Sequence, residues 1–489
     1  MAAKVQRPEL TARNNSIHWS CIVCFIFSLL SSSPTFAQES IFSDATSNFG
    51  IDYSYGLGIN YQYGIVSFNG GFSFADFNND GLDDLTFGSP AGDTIYLYTN
   101  EGTSFLALPT SSMFSETGLS SCFYWVDYDN DGDKDLYLAN IGGYNKLYRN
   151  DGELSFTDVT FESEIIAGTT FTYSACWADF DLDGWLDLYF VNRRMTGIAS
   201  GNPPNSPNFL FRNKGDGTFE NVTIQAGVQN SSGLGYAVVA VDYNNDGWPD
   251  LYVGNDKDTC NKLYKNNGDG TFEDVSEPNT TGRCISSMGI DLADFDANGY
   301  LDLYVTNGPG GNLLLQNNGD ETFNEVGTTL GISVNHNGWG TIFEDFDNDG
   351  DEDIFAVNGG SNLIPWQRNP LFINQGDGTF IEDETDSITL NTYHTYGASS
   401  GDWNDDGYID IAVMNVGGDP IKFWQNNGGT NNWFKVHLQG VISNLDGIGT
   451  WIEVWSGGQK FIKYTTCGNS FASQYSNDYI FGLGQQEQV

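Results

Sequence analysis

The stretch Asp127-Tyr-Asp-Asn-Asp-Gly-Asp-Lys-Asp135 places four carboxylates, on Asp127, Asp129, Asp131 and Asp135, at the first, third, fifth and ninth of nine positions. Charges that close repel one another unless a cation sits among them, and the odd-numbered spacing lets a tight loop aim them all inward. Gly132, at the sixth position, can take the positive φ that such a turn needs. Hard, flexible oxygen donors of this kind suit Ca2+, which takes about 6–8 oxygens, whereas soft metals want sulfur or imidazole. One copy alone reads equally well as a solvated acidic turn. The stretch, however, recurs.

Seven copies begin at Asp76, Asp127, Asp179, Asp242, Asp294, Asp345 and Asp402, spaced by 51, 52, 63, 52, 51 and 57 residues. The third position is Asn78, Asp129, Asp181, Asn244, Asp296, Asp347 and Asn404 in turn, and the fifth is Asp80, Asp131, Asp183, Asp246, Asn298, Asp349 and Asp406. Glycine always follows, and the ninth position is Asp84, Asp135, Asp187, Asp250, Asp302, Asp353 and Asp410. Seven copies of one spacing exclude a solvation accident. An EF-hand opens the same way but closes with a bidentate Glu at position twelve between two helices. Position twelve here is Phe87, Leu138, Phe190, Val253, Val305, Ala356 and Val413, none of which can ligate. Short apolar runs such as Leu136-Tyr-Leu and Leu251-Tyr-Val follow the ninth position instead, and these read as strands.

The elements that must position these loops follow from a second recurring signature. Asn261-Lys-Leu-Tyr-Lys-Asn-Asn-Gly-Asp-Gly-Thr-Phe-Glu-Asp-Val275 has relatives at Asn208–Phe219 and Leu371–Phe380, each reading as two short strands around a Gly-Asp-Gly turn. Every unit is therefore strand A, the acidic loop, strand B, strand C, the turn and strand D. Four-stranded units of ~40–60 residues are propeller blades, and small residues on strand A, as in Tyr236-Ala-Val-Val-Ala-Val241, fit a strand crowded around a central axis. Blade seven has no repeat-like strand D of its own, while Ile41–Ile51 resembles the strand D segment Phe219–Val228. The expected fold is all-β: a seven-bladed propeller of four-stranded blades over residues 38–431, closed by the amino-terminal strand and followed by a partial small β domain at 432–489.

Composition narrows the function classes. Lys and Arg total 19 against 64 Asp and Glu, a net charge of −45, which excludes nucleic acid as a partner because phosphate binding needs clustered cations. The 12 Trp, 25 Tyr and 34 Phe argue for packed structure rather than acidic disorder. Residues 1–37 differ from the rest: Lys4, Arg7 and Arg13 precede an apolar run from Cys21 to Leu30, and Thr35-Phe36-Ala37 offers a small-residue cleavage site. This reads as a secretory signal peptide. The alternative, a membrane anchor, has an apolar core shorter than the ~20 residues a span requires. No later segment is expected to span a membrane, so the mature chain is expected to be secreted, where calcium is plentiful and disulfides form. Of the five later cysteines, Cys122, Cys176, Cys260, Cys284 and Cys467, the pair Cys260 and Cys284 flanks one hairpin and is expected to form a disulfide; the odd count leaves a thiol over.

The loop Asp-x-Asp/Asn-x-Asp-Gly-x-x-Asp-Leu between two strands resembles the FG-GAP repeat of integrin α-subunit propellers. The Asn-Gly-Asp-Gly-Thr-Phe hairpin is similar to the VCBS repeat; together they cover roughly residues 41–430. The tail, with Asn432–Gly440, Asp446-Gly-Ile-Gly449, Trp451–Trp455 and Phe481-Gly-Leu-Gly484, resembles the ASPIC/UnbV domain. The chain stops just after Gly484, where that module would continue, so a truncated module is expected. The resemblance implies up to seven Ca2+ sites on one face. Side chains at positions one, three, five and nine would ligate, joined by the position-seven backbone carbonyls of Leu82, Asp133, Trp185, Trp248, Tyr300, Asp351 and Tyr408. Asn78, Asn244, Asn404 and Asn298 each cost one charge, so those four loops are expected to bind more weakly, against Kd values on the order of 10⁻⁴–10⁻³ M for extracellular modules.

Two function classes stay open. One is a secreted binding or adhesion protein for an extracellular protein or glycan, with calcium serving structure and with Tyr173, Tyr236, His336, Trp339, Tyr393, His394 and Tyr396 forming a ligand face opposite the metals, unless they simply pack between blades. The other is a polysaccharide-active lyase or hydrolase. That chemistry needs convergent acid–base groups, and His336 and His394, which precede strand A of adjacent blades, are the best candidates; His437 is the third histidine after the signal.

Overall fold

The computed structural model describes residues 40–51, 59–60, 65–66, 71–88, 95–110, 114, 119–193, 207–231, 234–256, 259–276, 280–308, 310–334, 336–359, 367–416 and 419–489. The proposed signal segment, 1–37, lies outside these residues.

Seven antiparallel four-stranded blades follow one another, each with strand order A-B-C-D. Blade four is typical: Gly235–Val241, Asp250–Asn255, Lys262–Asn266 and Phe272–Asp274. The seven A strands (Phe72–Ala75, Leu119–Val126, Thr170–Ala178, Gly235–Val241, Ser287–Ala293, Gly338–Glu344 and His394–Gly401) adjoin one another in sequence, and the last adjoins the first, so they ring a central axis. Burial decreases outward. In blades three to five, strands A and B are buried along their length, strand C buries its middle residues, and strand D mainly its leading Phe. Strands covered on both faces carry runs of apolar and small residues rather than strict alternation, which is why the sequence shows Val-Val-Ala-Val where a half-exposed strand would alternate. The apolar core lies between blades: Val238 and Leu251 of blade four pack with Cys176 and Tyr189 of blade three on one side, and Val239 and Tyr252 with Ile290 and Leu303 of blade five on the other.

The ring closes as the sequence predicts. Phe42–Asp44 pairs antiparallel with strand C of blade seven, Phe42 opposite Asn426, and so becomes that blade's outermost strand. The bond from the Phe42 N–H to Asp386 (3.1 Å) and from Lys422 to Asp44 (2.6 Å) fix it there. Cys260 and Cys284 are joined across the C–D hairpin of blade four, and Cys122, Cys176 and Cys467 are buried free thiols.

The carboxyl-terminal residues depart from a simple following domain. Asn432–His437 pairs with Asp478–Gly484, and Trp451–Ser456 with Gln459–Tyr464, forming two small sheets on the face of the acidic loops. Between them, residues 467–475 descend into the axis and touch every blade. The Gln474 side chain accepts from the Trp125 N–H (2.7 Å) and donates to its carbonyl (2.9 Å), while Ser473–Gln474 pairs in parallel with Phe72–Ser73. Cys467 bridges Trp177, Ser470 bridges Ile290 and accepts from the Thr341 N–H, Ser399 donates to the Gln474 carbonyl, and Phe471 packs on Tyr236 and Trp339. Small residues leave room for this plug: a side chain on Gly71, just before strand A of blade one, would strike the Ala472 carbonyl, and one on Gly340 of blade six would crowd Ser470 Oγ.

Candidate metal loops and the module that covers them

Each acidic loop is built by the same hydrogen bonds, made by its own backbone. The position-one carboxylate accepts the position-five N–H on Oδ1 (2.9–3.1 Å). The glycine N–H bonds its Oδ2 (2.8–2.9 Å). Leu82, Asp133, Trp185, Trp248, Tyr300, Asp351 and Tyr408 at position seven donate their N–H to the position-five oxygen at 2.8–3.0 Å. The turn requires two left-handed residues, one on each side of position five: Gly132 has φ 98°, as its spacing predicts, and Asn130 at position four has φ 55°. Asparagine tolerates that conformation; Leu182 and Ala297 adopt it in loops three and five with φ 57° and 55°.

The ninth aspartate ties loop to blade, through a residue whose role sequence reasoning missed. Its Oδ1 accepts the N–H of an asparagine ending strand C (Asn100, Asn150, Asn213, Asn266, Asn317, Asn374 and Asn426) at 2.7–2.8 Å in all seven blades. In six of them the asparagine amide also donates to the position-two carbonyl of the preceding blade, as Asn213 does to Tyr128 and, across the ring closure, Asn100 to Trp403. The signal was present in the recurring Asn before each Gly-Asp-Gly or equivalent turn, but its partner lies in another blade.

Four loops bring carboxylates together. One oxygen from each member of Asp127/Asp129/Asp135, Asp179/Asp181/Asp183, Asp294/Asp296/Asp302 and Asp345/Asp347/Asp353 lies within 4.8 Å of the others. Asp129 Oδ1 and Asp181 Oδ1 are buried without a hydrogen-bond partner, inward-facing acceptors of the kind a cation satisfies. Burial drives these groups toward protonation, with neighbouring carboxylates adding to it: Asp127 is pushed up to about 7 and Asp135 to about 9, while Asp302 and Asp353 rise well above the usual range. These donors fit Ca2+. In loops one, four and seven, which carry Asn78, Asn244 and Asn404, the amide donates to the position-five carboxylate (2.8–2.9 Å). Loop five, with Asn298 at position five, nonetheless forms a triad from its other three aspartates.

The module engages this face directly. Asp446 accepts the Asp127 N–H (2.8 Å) and pairs with Lys134; Trp451 Nε1 donates to Asp242 Oδ2 (3.0 Å); the Gly484 N–H bonds the Asn348 carbonyl (2.9 Å). Lys435 Nζ lies 2.6 Å from both Asp402 Oδ2 and Asp405 Oδ1. Nearer the axis, Lys463 pairs with Glu344 (2.5 Å) and Glu352 (3.1 Å).

The aromatic residues expected to line an open face are placed otherwise. Tyr173, Tyr236, Trp339 and Tyr396 are 1%, 2%, 4% and 6% exposed. They form a collar at the far end of the axis, with ring centroids 4.9 Å apart for Tyr173 and Tyr236 and 4.5 Å for Trp339 and Tyr396, closed from within by Phe471. The Arg193 guanidinium stacks 4.5 Å above Tyr236 and bonds Asp256. These rings are buried because each strand A begins beside its neighbours and beside the plug. Tyr393, His336 and His394 are half-buried at the rim. His336 lies 3.0 Å from Asn358 of blade six, and His394 beside Asp419 of blade seven, each within its own blade. His437 pairs with Asp478 on the opposite, loop-bearing side.

Comparison with known proteins agrees with this architecture. The FG-GAP-like repeat matches residues 76–138, 127–190, 198–253, 242–305, 294–356 and 345–413, and the ASPIC and UnbV module matches residues 440–489. Cartilage acidic protein 1 of Homo sapiens is 30% identical over 187 residues, covering 36% of this chain and 27% of that protein. The Xenopus tropicalis protein is 30% identical over 191 residues, 36% of this chain and 28% of its own. The matched region thus spans little more than a quarter of these relatives. Among solved structures, an Agrocybe aegerita lectin specific for non-reducing terminal N-acetylglucosamine has 21% identity and a TM-score of 0.44, covering 72% of this chain and 87% of that one.

Proposed function

The chain belongs to the family of FG-GAP-like repeat proteins, and from that premise we propose that it is an exported, calcium-stabilised binding protein whose ligand is an extracellular protein or a glycan. The observation that carries this reading is the set of four convergent carboxylate triads in a chain of net charge −45. Seven divalent ions would cancel about a third of that charge. The calcium serves structure: it offsets repulsion within loops that the ring forces together, and only an extracellular or periplasmic setting supplies enough of it for sites of this class. The relatives' name, cartilage acidic protein, is in keeping with an acidic chain.

Recognition belongs to the face away from the loops, since the module occupies the loop face. There Tyr144, in the B–C connection of blade two, and Phe161, in the connection leading to blade three, hold their rings 5.8 Å apart while 41% and 58% exposed. Such a pair can stack on a sugar ring or an apolar side chain. A glycan and matrix-protein array, run with and without calcium on wild type and Phe161→Ala, tests the proposal. Calcium-dependent binding lost in the variant supports it. Turnover of a bound polysaccharide that vanishes in His336→Ala or His394→Ala would replace it with the enzyme reading.

A further inference from the structure

We infer that the seventh acidic loop is a socket for Lys435 rather than a calcium site equal to the others, so that docking of the carboxyl-terminal module supplies that loop's cation. The inference rests on the calcium reading above. Loop seven repeats the backbone bonds of its neighbours: Asp402 accepts the Asp406 and Gly407 N–H groups, and Asp410 the Asn426 N–H. What surrounds it differs. Lys435, on the module strand Asn432–His437, sets its ammonium 2.6 Å from Asp402 Oδ2 and 2.6 Å from Asp405 Oδ1, with Asp478 3.8 Å away. Asp402 is buried, and Lys435 itself is largely covered, so water screens little of this attraction.

Three further observations separate loop seven from loop two. Its position-three residue is Asn404, whose Nδ2 donates to Asp406 Oδ2 (2.8 Å) while its Oδ1 accepts the Asp406 N–H (3.2 Å), so that both ends of the amide are engaged within the loop. Its aspartates at positions one, five and nine, Asp402, Asp406 and Asp410, are not among the convergent triads. And where loop seven meets a lysine, loop two meets the carboxylate of Asp446, itself balanced by Lys134. Loop four, also an asparagine loop, meets the neutral indole of Trp451. A fixed unit charge within hydrogen-bond reach of a ligand carboxylate both consumes that carboxylate's attraction and repels a divalent ion, an effect worth at least about tenfold in affinity. Asp410 Oδ2 is buried without a hydrogen-bond partner; it is the oxygen a loop freed of Lys435 would offer.

Calcium bound per chain, measured on the full chain by equilibrium dialysis and calorimetric titration, tests this. Lys435→Met, which keeps the aliphatic stem, is expected to bind one more ion than wild type at a concentration that saturates the wild-type loops, and Lys435→Arg is expected to bind the wild-type number. In wild type, Asp406→Asn, at an exposed position five that does not touch Lys435, is expected to leave the number unchanged, whereas Asp131→Asn in loop two lowers it by one or weakens one site at least tenfold. That second pair decides the matter should Lys435→Met not fold. Loss of one ion in Asp406→Asn, or no gain in folded Lys435→Met, overturns the socket. A wild-type chain that binds no calcium overturns the calcium reading itself, a separate outcome.

Discussion

The two ends of the propeller axis solve opposite problems with the same seven strands. Strand A of each blade ends, on one face, in a loop of carboxylates, and begins, on the other, beside an aromatic collar of Tyr173, Tyr236, Trp339 and Tyr396. The collar needs no ion: its rings bury one another and Phe471 of the plug in edge-to-face contacts. The loop face is different. Ring geometry forces like charges together and buries them; Lys134, Lys435 and Lys463 from ring and module offset part of that repulsion, and the proposed ions in the four triads would offset more. One end is an apolar core in miniature, the other an electrostatic assembly.

Removing calcium should break the comparison most sharply. Excess chelator is expected to lower the melting temperature by roughly 10 °C or more, since several sites each filled a hundredfold above Kd contribute about 2.7 kcal/mol apiece. Unchanged melting in a calorimetric scan would mean that the carboxylate face is balanced without ions. By contrast, Trp339→Ala in the collar should cost about 3–5 kcal/mol with or without calcium, read from denaturant unfolding under both conditions.

The plug that joins the two ends gives the next effect. Gln474→Ala removes bonds to both backbone groups of Trp125 and to Ser73, leaving buried groups unpaired, and is expected to cost about 2–3 kcal/mol. If denaturant unfolding shows a loss below about 0.5 kcal/mol, the plug is not bearing on stability.

Asp291 makes the plug's contact with blades five and six sensitive to pH. It accepts from Tyr475, Asn469 and the Phe343 N–H, and burial, with Glu344 beside it, pushes it up to about 7. A carboxyl whose folded value lies above its unfolded value contributes stability that is complete below about pH 4 and is lost as pH rises through about 7. With calcium saturating, Asp291→Asn should therefore reduce the fall in melting temperature between pH 5 and pH 8; an identical profile in the variant would remove Asp291 as its source. The smallest effect belongs to the exposed far face. Phe161→Ala should change stability by no more than about 0.5 kcal/mol, so that any loss of ligand binding reports recognition rather than folding.

Loops, strands and closure were readable from the chain because each depends on short-range regularities. Asp127–Asp135 carries its own turn in its own residues, through Gly132 and the position-one carboxylate, and seven repetitions identify the blade; even the closing strand at Phe42–Asp44 is recognisable by likeness to Phe219–Asn221. The Cys260–Cys284 pairing follows from one hairpin. Legibility stopped where contacts join residues far apart. The strand C asparagines repeat, yet their acceptors lie in the preceding blade, some 80 residues earlier for most and on the far side of the ring closure for Asn100. The collar reads as an aromatic surface until the axis around it is filled.

The repeat determined the ring and the positions of its charges, since periodic local interactions suffice to build identical blades. Only tertiary structure decided that residues 467–475 thread the axis, that Tyr236 and Trp339 are thereby buried, and that Lys435 rather than a symmetry-equivalent ion faces Asp402. The physical reason is that the plug is not a repeat: it meets seven nearly equivalent strands with seven different contacts, and no period in the sequence encodes which residue meets which blade.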